Sequence, residues 1–176
     1  MEHRGGQSHD EDLVQEIKAH ILEAYGSLQE PNFMFEQLES RHRLYEPVVR
    51  DFAAFLLMDI AAAFSITNAT DLNTDHGYIF TLESTTSLSL QLSFVGPYAV
   101  LLRTALQGGL EVVEQAANDN GMLERRLIQI VTTHNIRLLG RNVLEIPVNL
   151  KLFDTEPGNV RVYQALFRDT DILPWR

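Results

Sequence analysis

The sequence predicts an α+β fold built around an antiparallel sheet, on three observations. Apolar residues recur with a helical period early in the chain, the period falls to two after Ile66, and a helical stripe returns at Met122 before a second alternating run from Leu144. Strands and helices grouped in separate runs belong to α+β folds, whereas strict alternation would imply a parallel sheet. The expected architecture is N-terminal helices, an antiparallel meander, a helix and a C-terminal β-hairpin in one layer-packed domain over residues 10–176.

Residues 1–9 are polar and aperiodic, as expected of a disordered tail. Ser8 and Glu11 have the spacing of a capping box, and Leu13, Val14, Ile17, Ile21 and Ala24 follow on one face. A helix is therefore predicted from about Asp10 to Tyr25, stopped by Gly26. A second, short helix is predicted after Pro31, with Phe33, Met34 and Leu38 as its contacts. Pro47 suits a first helical turn, where its missing N–H costs nothing, and the apolar run behind it predicts a helix over 47–64. Its charges, Arg50, Asp51 and Asp59, argue against a membrane span, since an ion near the bilayer centre costs at least about 2.5 kcal/mol. Apolar nearly all round, this helix is expected at the domain centre or in a homodimer interface.

Tyr78, Phe80 and Leu82 alternate with Ile79, Thr81 and Glu83, and after Ser84-Thr85-Thr86-Ser87 the run Leu88, Leu90, Leu92, Phe94 alternates with Ser89, Gln91, Ser93. That pattern predicts a hairpin with one apolar and one wet face, and Tyr98–Arg103 reads as a third strand. Between Thr104 and Asn118, Gly108-Gly109 suits either a hairpin turn or the approach to a short helix, and the helix is preferred. Met122, Leu123, Leu127, Ile130, Val131, His134 and Leu138 form a helical stripe with Gly140 as its terminator. Leu144 to Leu152 and Val160 to Phe167 are the arms of the predicted C-terminal hairpin, turned by Pro157-Gly158, with Pro147 forcing an edge position or a bulge.

The chain of 176 residues fits one domain, and its net charge of −10 opposes phosphate backbones, which excludes general nucleic-acid binding. With no cysteine there is no disulfide framework and no thiolate chemistry. The N-terminus lacks the apolar core of a secretory signal, so a cytoplasmic location is expected. The acidity is concentrated: residues 51–102 hold five acids and no base, while residues 103–176 hold nine of each.

Asp71, Asn73, Asp75 and His76 form the densest group of potential metal ligands, and Asp-x-Asn-x-Asp resembles the opening of an EF-hand loop. The pattern then fails, because His76 stands at the glycine position and Leu82 where the bidentate Glu belongs; Asx turn chemistry is the preferred account of the cluster, and no metal is assigned. Asp59, in an apolar helix, is a candidate acid–base or partner-binding group if buried. Asp51 suits the positive end of the same helix. His20 and His134 read as partly buried core histidines, and Arg41-His42-Arg43 beside Tyr45 reads as a local salt-bridge patch. Trp175, the single tryptophan, either folds back with Ile172 and Leu173 as a lid on the sheet or anchors a partner. The G-x-S-x-G, phosphate-loop, G-x-G-x-x-G and H-E-x-x-H signatures are absent, and no cofactor is implied.

Two functions follow as expectations. The first is a non-enzymatic acidic protein-binding module with a basic partner: the element order is similar to that of small acidic secretion chaperones, and the charge suits immunity proteins that cap a basic toxin. The alternative is a small-ligand-binding protein or hydrolase-like enzyme with an Asp/His pocket between helix 47–64 and the sheet. A homodimer through that helix is compatible with either.

Overall fold

The computed structural model describes residues 5–33, 42–56, 65–71, 74–83, 87–105 and 107–176. The first helix, α1 (Gly5–Tyr25), presents Ile17, Ile21 and Tyr25, spaced four apart and all buried, to the core. It begins at Gly5, so residues 5–9, expected in the tail, extend the helix, and the Ser8–Glu11 spacing does not mark its start. Its end is as predicted: Gly26 takes φ +71° and donates its N–H to the Leu22 carbonyl at 2.8 Å, the left-handed cap that glycine adopts without strain. The short helix expected after Pro31 falls largely on 34–41, outside the described residues. So does the second half of the expected helix 47–64, with Asp59. The first half belongs to α2 (His42–Leu56), which starts earlier and carries Pro47 in its interior. There the proline leaves the Arg43 carbonyl without its helical donor.

The sheet is an antiparallel meander in chain order, β1 (Ser65–Asn68), β2 (Gly77–Glu83), β3 (Leu88–Ser93), β4 (Tyr98–Thr104) and β5 (Leu110–Val112). The predicted three strands are its centre. The helix preferred for 104–118 does not form; Gly108 and Gly109 take φ of +84° and +79° and close the β4–β5 hairpin, consecutive positive values that favour glycine at both positions. A sixth strand, β6 (Arg137–Leu138), lies parallel to the start of β4. Between them α3 (Met122–Thr133) is shorter than its apolar stripe, because Asn135 at φ +57° turns the chain before Gly140 is reached.

Register decides what each face buries. Pairs such as Phe80↔Leu90 and Leu90↔Leu101 put the large apolar side chains on one face, which packs on Tyr45 and Val48 of α2 and on Leu127, Ile130 and Val131 of α3. The opposite face carries Ile79, Gln91, Ser93, Tyr98, Val100 and Leu102. It is not wet as predicted: it is covered by α1, α4 (Arg141–Leu144) and α5 (Val162–Leu166), and Gln91 and Ser93 are buried. The α+β class holds, with a mostly antiparallel sheet between two layers.

The predicted C-terminal hairpin is replaced by irregular chain. Its arms do run antiparallel, meeting at the Pro147↔Arg161 bridge with Val148 N–H donating to the Val160 carbonyl at 3.1 Å, but the ladder ends there. Pro147 sits at the non-bonded position of this bridge, whose bonds run through Val148 and Ile146, so its missing N–H costs nothing, and the ladder ends because from Val162 the second arm winds into α5. Leu144, Val148, Leu150 and Leu152 are nevertheless buried, so the alternation records an extended segment laid on the core. Pro157-Gly158 turns the chain as expected, with Gly158 at φ +91°.

Candidate functional site

The polar side of β3 explains why a covered sheet face still holds an opening. Ser93 is fully buried and donates to the Leu166 carbonyl at 2.7 Å, so its burial is compensated by the end of α5. Two residues back, Gln91 reaches into a cleft of about 610 Å³, within the roughly 300–1,000 Å³ range of ligand sites. Ser89, Thr81, Ile79 and Leu102 form its sheet wall, and Tyr163 of α5 and the segment 168–174 form the opposite wall.

Polar groups inside proteins are nearly always paired. Among the described residues, five buried side-chain polar atoms lack a hydrogen-bond partner: Thr74 Oγ1, Asp75 Oδ1, Gln91 Oε1, Asn120 Oδ1 and the Tyr163 hydroxyl. Three of them, on Thr74, Gln91 and Tyr163, belong to residues that line this one cleft. The Gln91 and Tyr163 side chains lie close enough to act as each other's hydrogen-bond partners. Burial pushes the Tyr163 phenol up to about 12, only partly offset by Gln91, so it stays a neutral donor at physiological pH.

The far wall is held by a carboxylate. Asp169 accepts the backbone N–H groups of Phe153 at 2.7 Å and Asp154 at 2.9 Å and the Thr155 hydroxyl at 2.7 Å, which ties two loops together and leaves that acid structural. The chain then turns so that Leu173 is buried, and Trp175 stacks edge-on against Tyr163 at 5.1 Å while its indole N–H donates to Glu145 at 2.8 Å. Arg141 also binds that carboxylate and, with the indole, holds it below the usual range. Ile172 is exposed.

The loop singled out as a metal candidate closes one end of the cleft. Asp75 accepts the Asp71 N–H at 2.6 Å through Oδ2, a side-chain bond that closes the loop back on its start, while its Oδ1 lies 3.2 Å from Arg168 Nε, an ion pair without hydrogen-bond alignment. Burial raises the Asp75 pKa, opposed by the Asp71 N–H and the Arg168 charge. His76 turns the other way, into the core, where its Nδ1 lies 3.0 Å from the Gln164 carbonyl and 2.9 Å from the Tyr25 hydroxyl. That hydroxyl donates in turn to the Ala165 carbonyl at 2.8 Å. Burial lowers the His76 pKa to about 4 and raises that of Tyr25 strongly. Main-chain bonds complete the junction: His76 N–H to the Phe167 carbonyl at 2.8 Å and Asp169 N–H to the Thr74 carbonyl at 2.9 Å. Asp71 is exposed and Asn73 lies outside the described residues, among which no three His, Asp or Glu side chains gather as a metal site would require.

The remaining sequence candidates scatter. Asp51 sits well inside α2, not at its start, and binds His134 Nε2 at 2.7 Å, so a side-chain partner replaces the helix dipole as its role. His20 Nδ1 bonds the Tyr98 hydroxyl at 2.7 Å. Asp59 and Arg41 lie outside the described residues. Gln91, Ser89, Tyr163 and Arg168 were not singled out from the sequence; the one available signal was the Ser-x-Gln-x-Ser alternation, which reads equally as a solvated face. Comparison with family models, with curated proteins and with solved structures finds no match for the chain.

Proposed function

We propose that the protein binds a small molecule in the cleft between the polar face of β2–β4 and the C-terminal segment. One observation carries this reading: a cleft of about 610 Å³ opens between the sheet and the C-terminal segment, with Thr81, Ser89 and Gln91 on one wall and Tyr163 and Arg168 on the other, a volume and a mixed apolar and polar lining that suit a small guest. The cleft lies across the sheet from α2, so the Asp/His pocket expected beside helix 47–64 is not the site proposed. A thermal-shift screen of small polar compounds tests the reading, with Ser89→Phe as the variant that fills the cleft. Compounds that raise the Tm of the natural protein and leave the filled variant unmoved support it. A screen without such compounds, or with equal shifts in both proteins, refutes it.

A second reading, an acidic module that docks a basic protein, is favoured by β1. This outer strand pairs only with β2 among the described residues and is largely exposed, a free edge in the acidic half of the chain. Pull-down of a partner whose association slows as salt rises would support it; salt-independent capture would contradict it. A homodimer, with Trp175 or Asp59 at its contact, belongs to the same reading and is read by light scattering. No helix among the described residues is long and apolar enough to cross a membrane.

A further inference from the structure

The two outer strands of the sheet are finished differently. β5 spans only Leu110–Val112 and sets a charged residue, Glu111, bound to Arg103, in its middle, the kind of short, charged strand that resists pairing with another chain. β1 has no such guard. Ser65, Ile66, Thr67 and Asn68 are uncharged, none is proline or glycine, and they pair with β2 residue for residue without a bulge.

Register fixes which peptide groups β1 offers. Ala69 donates its N–H to the Ile79 carbonyl at 2.8 Å, and bonded and non-bonded pairs alternate along an antiparallel ladder. Thr67 therefore turns its N–H and C=O toward Thr81 of β2, while Ile66 and Asn68 turn theirs outward. Among the described residues no hydrogen bond meets these outward groups. The Asn68 side chain closes the strand by accepting the Thr70 N–H at 3.1 Å and the Thr70 hydroxyl at 2.6 Å, so the open stretch ends there. Side chains alternate too: Ile66 is half-buried on the apolar face that holds Leu82, and Ser65 and Thr67 are exposed on the other.

The setting is acidic. Glu83 lies exposed across from Ser65, Asp71 lies exposed just beyond Thr70, and no lysine or arginine occurs from 51 to 102. Arg168, bridged to Asp75, already faces that buried carboxylate. A second copy of the chain brings its own charge of −10 and is repelled, whereas a strand with lysine or arginine at its ends is drawn in. Resting on the second reading above, that of an acidic module with a basic partner, we propose that β1 accepts an extended basic segment of another protein as an added strand. The segment exchanges main-chain bonds with Ile66 and Asn68, sets apolar side chains beside Ile66 and brings its cations near Glu83 and Asp71.

Capped peptides titrated into isotope-labelled full-length protein test this: Lys-Thr-Val-Thr-Val-Thr-Lys, the same sequence with glutamate in place of both lysines, and the lysine peptide with both valine nitrogens methylated. The valines stand opposite Ile66 and Asn68, so methylation removes the donors that the edge accepts and leaves the protein untouched. The lysine peptide is expected to bind at least about tenfold more tightly than either control, with an affinity that falls as salt rises. Hydrogen exchange is expected to slow at Ile66 and Asn68 and to change little at Thr67 and Ala69, whose N–H groups already bond β2. Glu83→Lys, an exposed change outside β1, is expected to weaken binding by about threefold to tenfold without moving the Tm. Equal binding of the methylated peptide, or protection away from Ile66 and Asn68, overturns the strand addition and leaves the docking reading to the salt-dependent pull-down. Equal binding of the glutamate peptide, or indifference to Glu83→Lys, overturns the choice of a basic occupant. No binding of any peptide at millimolar concentration overturns the proposal. So does a dimer in light scattering that protects Ile66 and Asn68 without peptide, since a second copy then fills the edge.

Discussion

His76 gives the protein an acid-sensitive buried contact between the 71–76 loop and the C-terminal helix. Fully buried beside Tyr25, Gln164 and Ala165, it titrates near 4 instead of the ordinary 6.5, with burial as the dominant cause and the Asp169 charge opposing it. The unfolded chain therefore binds a proton that the folded chain refuses over that window. Stability is complete above about pH 6.5 and falls as pH drops toward 4, at up to about 1.4 kcal/mol per pH unit, for a total of about 3 kcal/mol. Asp75, raised by burial, contributes with the opposite sign above its unfolded value. The perturbation is His76→Gln, which keeps a donor for the Gln164 carbonyl and removes the titration. Guanidinium unfolding of both proteins from pH 7.5 to pH 4.5 should show the natural protein losing about 2–3 kcal/mol more than the variant, whatever their difference at neutral pH. Parallel curves would refute the assignment of a neutral buried imidazole.

Three further outcomes follow from packing. A methyl group at Gly77 would stand 2.2 Å from the Leu92 carbonyl oxygen and 2.9 Å from its carbon, both backbone, so Gly77→Ala must spread β2 from β3 and should cost about 2 kcal/mol or more in denaturant titration; an unchanged midpoint would contradict the close crossing. Trp175→Ala removes the Tyr163 stack and the Glu145 bond and should lower stability by about 2–3 kcal/mol, whereas full stability with altered mass in light scattering would favour an interface anchor. Asp169→Asn turns an amide NH2 toward one of three donors and should cost about 1–3 kcal/mol by the same titration, with a near-neutral change refuting its role as the clamp of the far wall.

The meander was legible because alternation of Phe80, Leu82, Leu90 and Leu92 with smaller polar residues has one low-energy solution, a strand with a heavy and a light face. The class followed from it. What periodicity could not reveal is what covers the light face. Ser89, Gln91 and Ser93 look the same under water as under α5, since burial of a polar side chain is set by partners distant in sequence, here the Leu166 carbonyl and the Tyr163 ring. The 144–152 segment shows the converse. Its period of two is real, because alternate residues are buried, but a ladder needs an extended partner, and the second arm turns helical at Val162, one residue past the bridge. At 104–118 two glycines that take positive φ decided for the hairpin over a helix, a choice of turn geometry that apolar spacing does not encode.

The ligand cluster at 71–76 sharpens the point about sites. Its residue types suggested convergence on a metal, yet Asp75 and His76, adjacent in sequence, send their side chains to different partners, Asp75 toward Arg168 and His76 toward Tyr25. Successive residues diverge in extended chain, so adjacency in sequence counts against a shared site there. Gln91 and Tyr163 are 72 positions apart, on a strand and on a five-residue helix, and they meet because Ser93 and Phe167 anchor those elements to Leu166 and His76. A candidate site in this fold is therefore recognised by where elements distant in sequence leave room between them, as the sheet and the C-terminal segment do beside Gln91 and Tyr163.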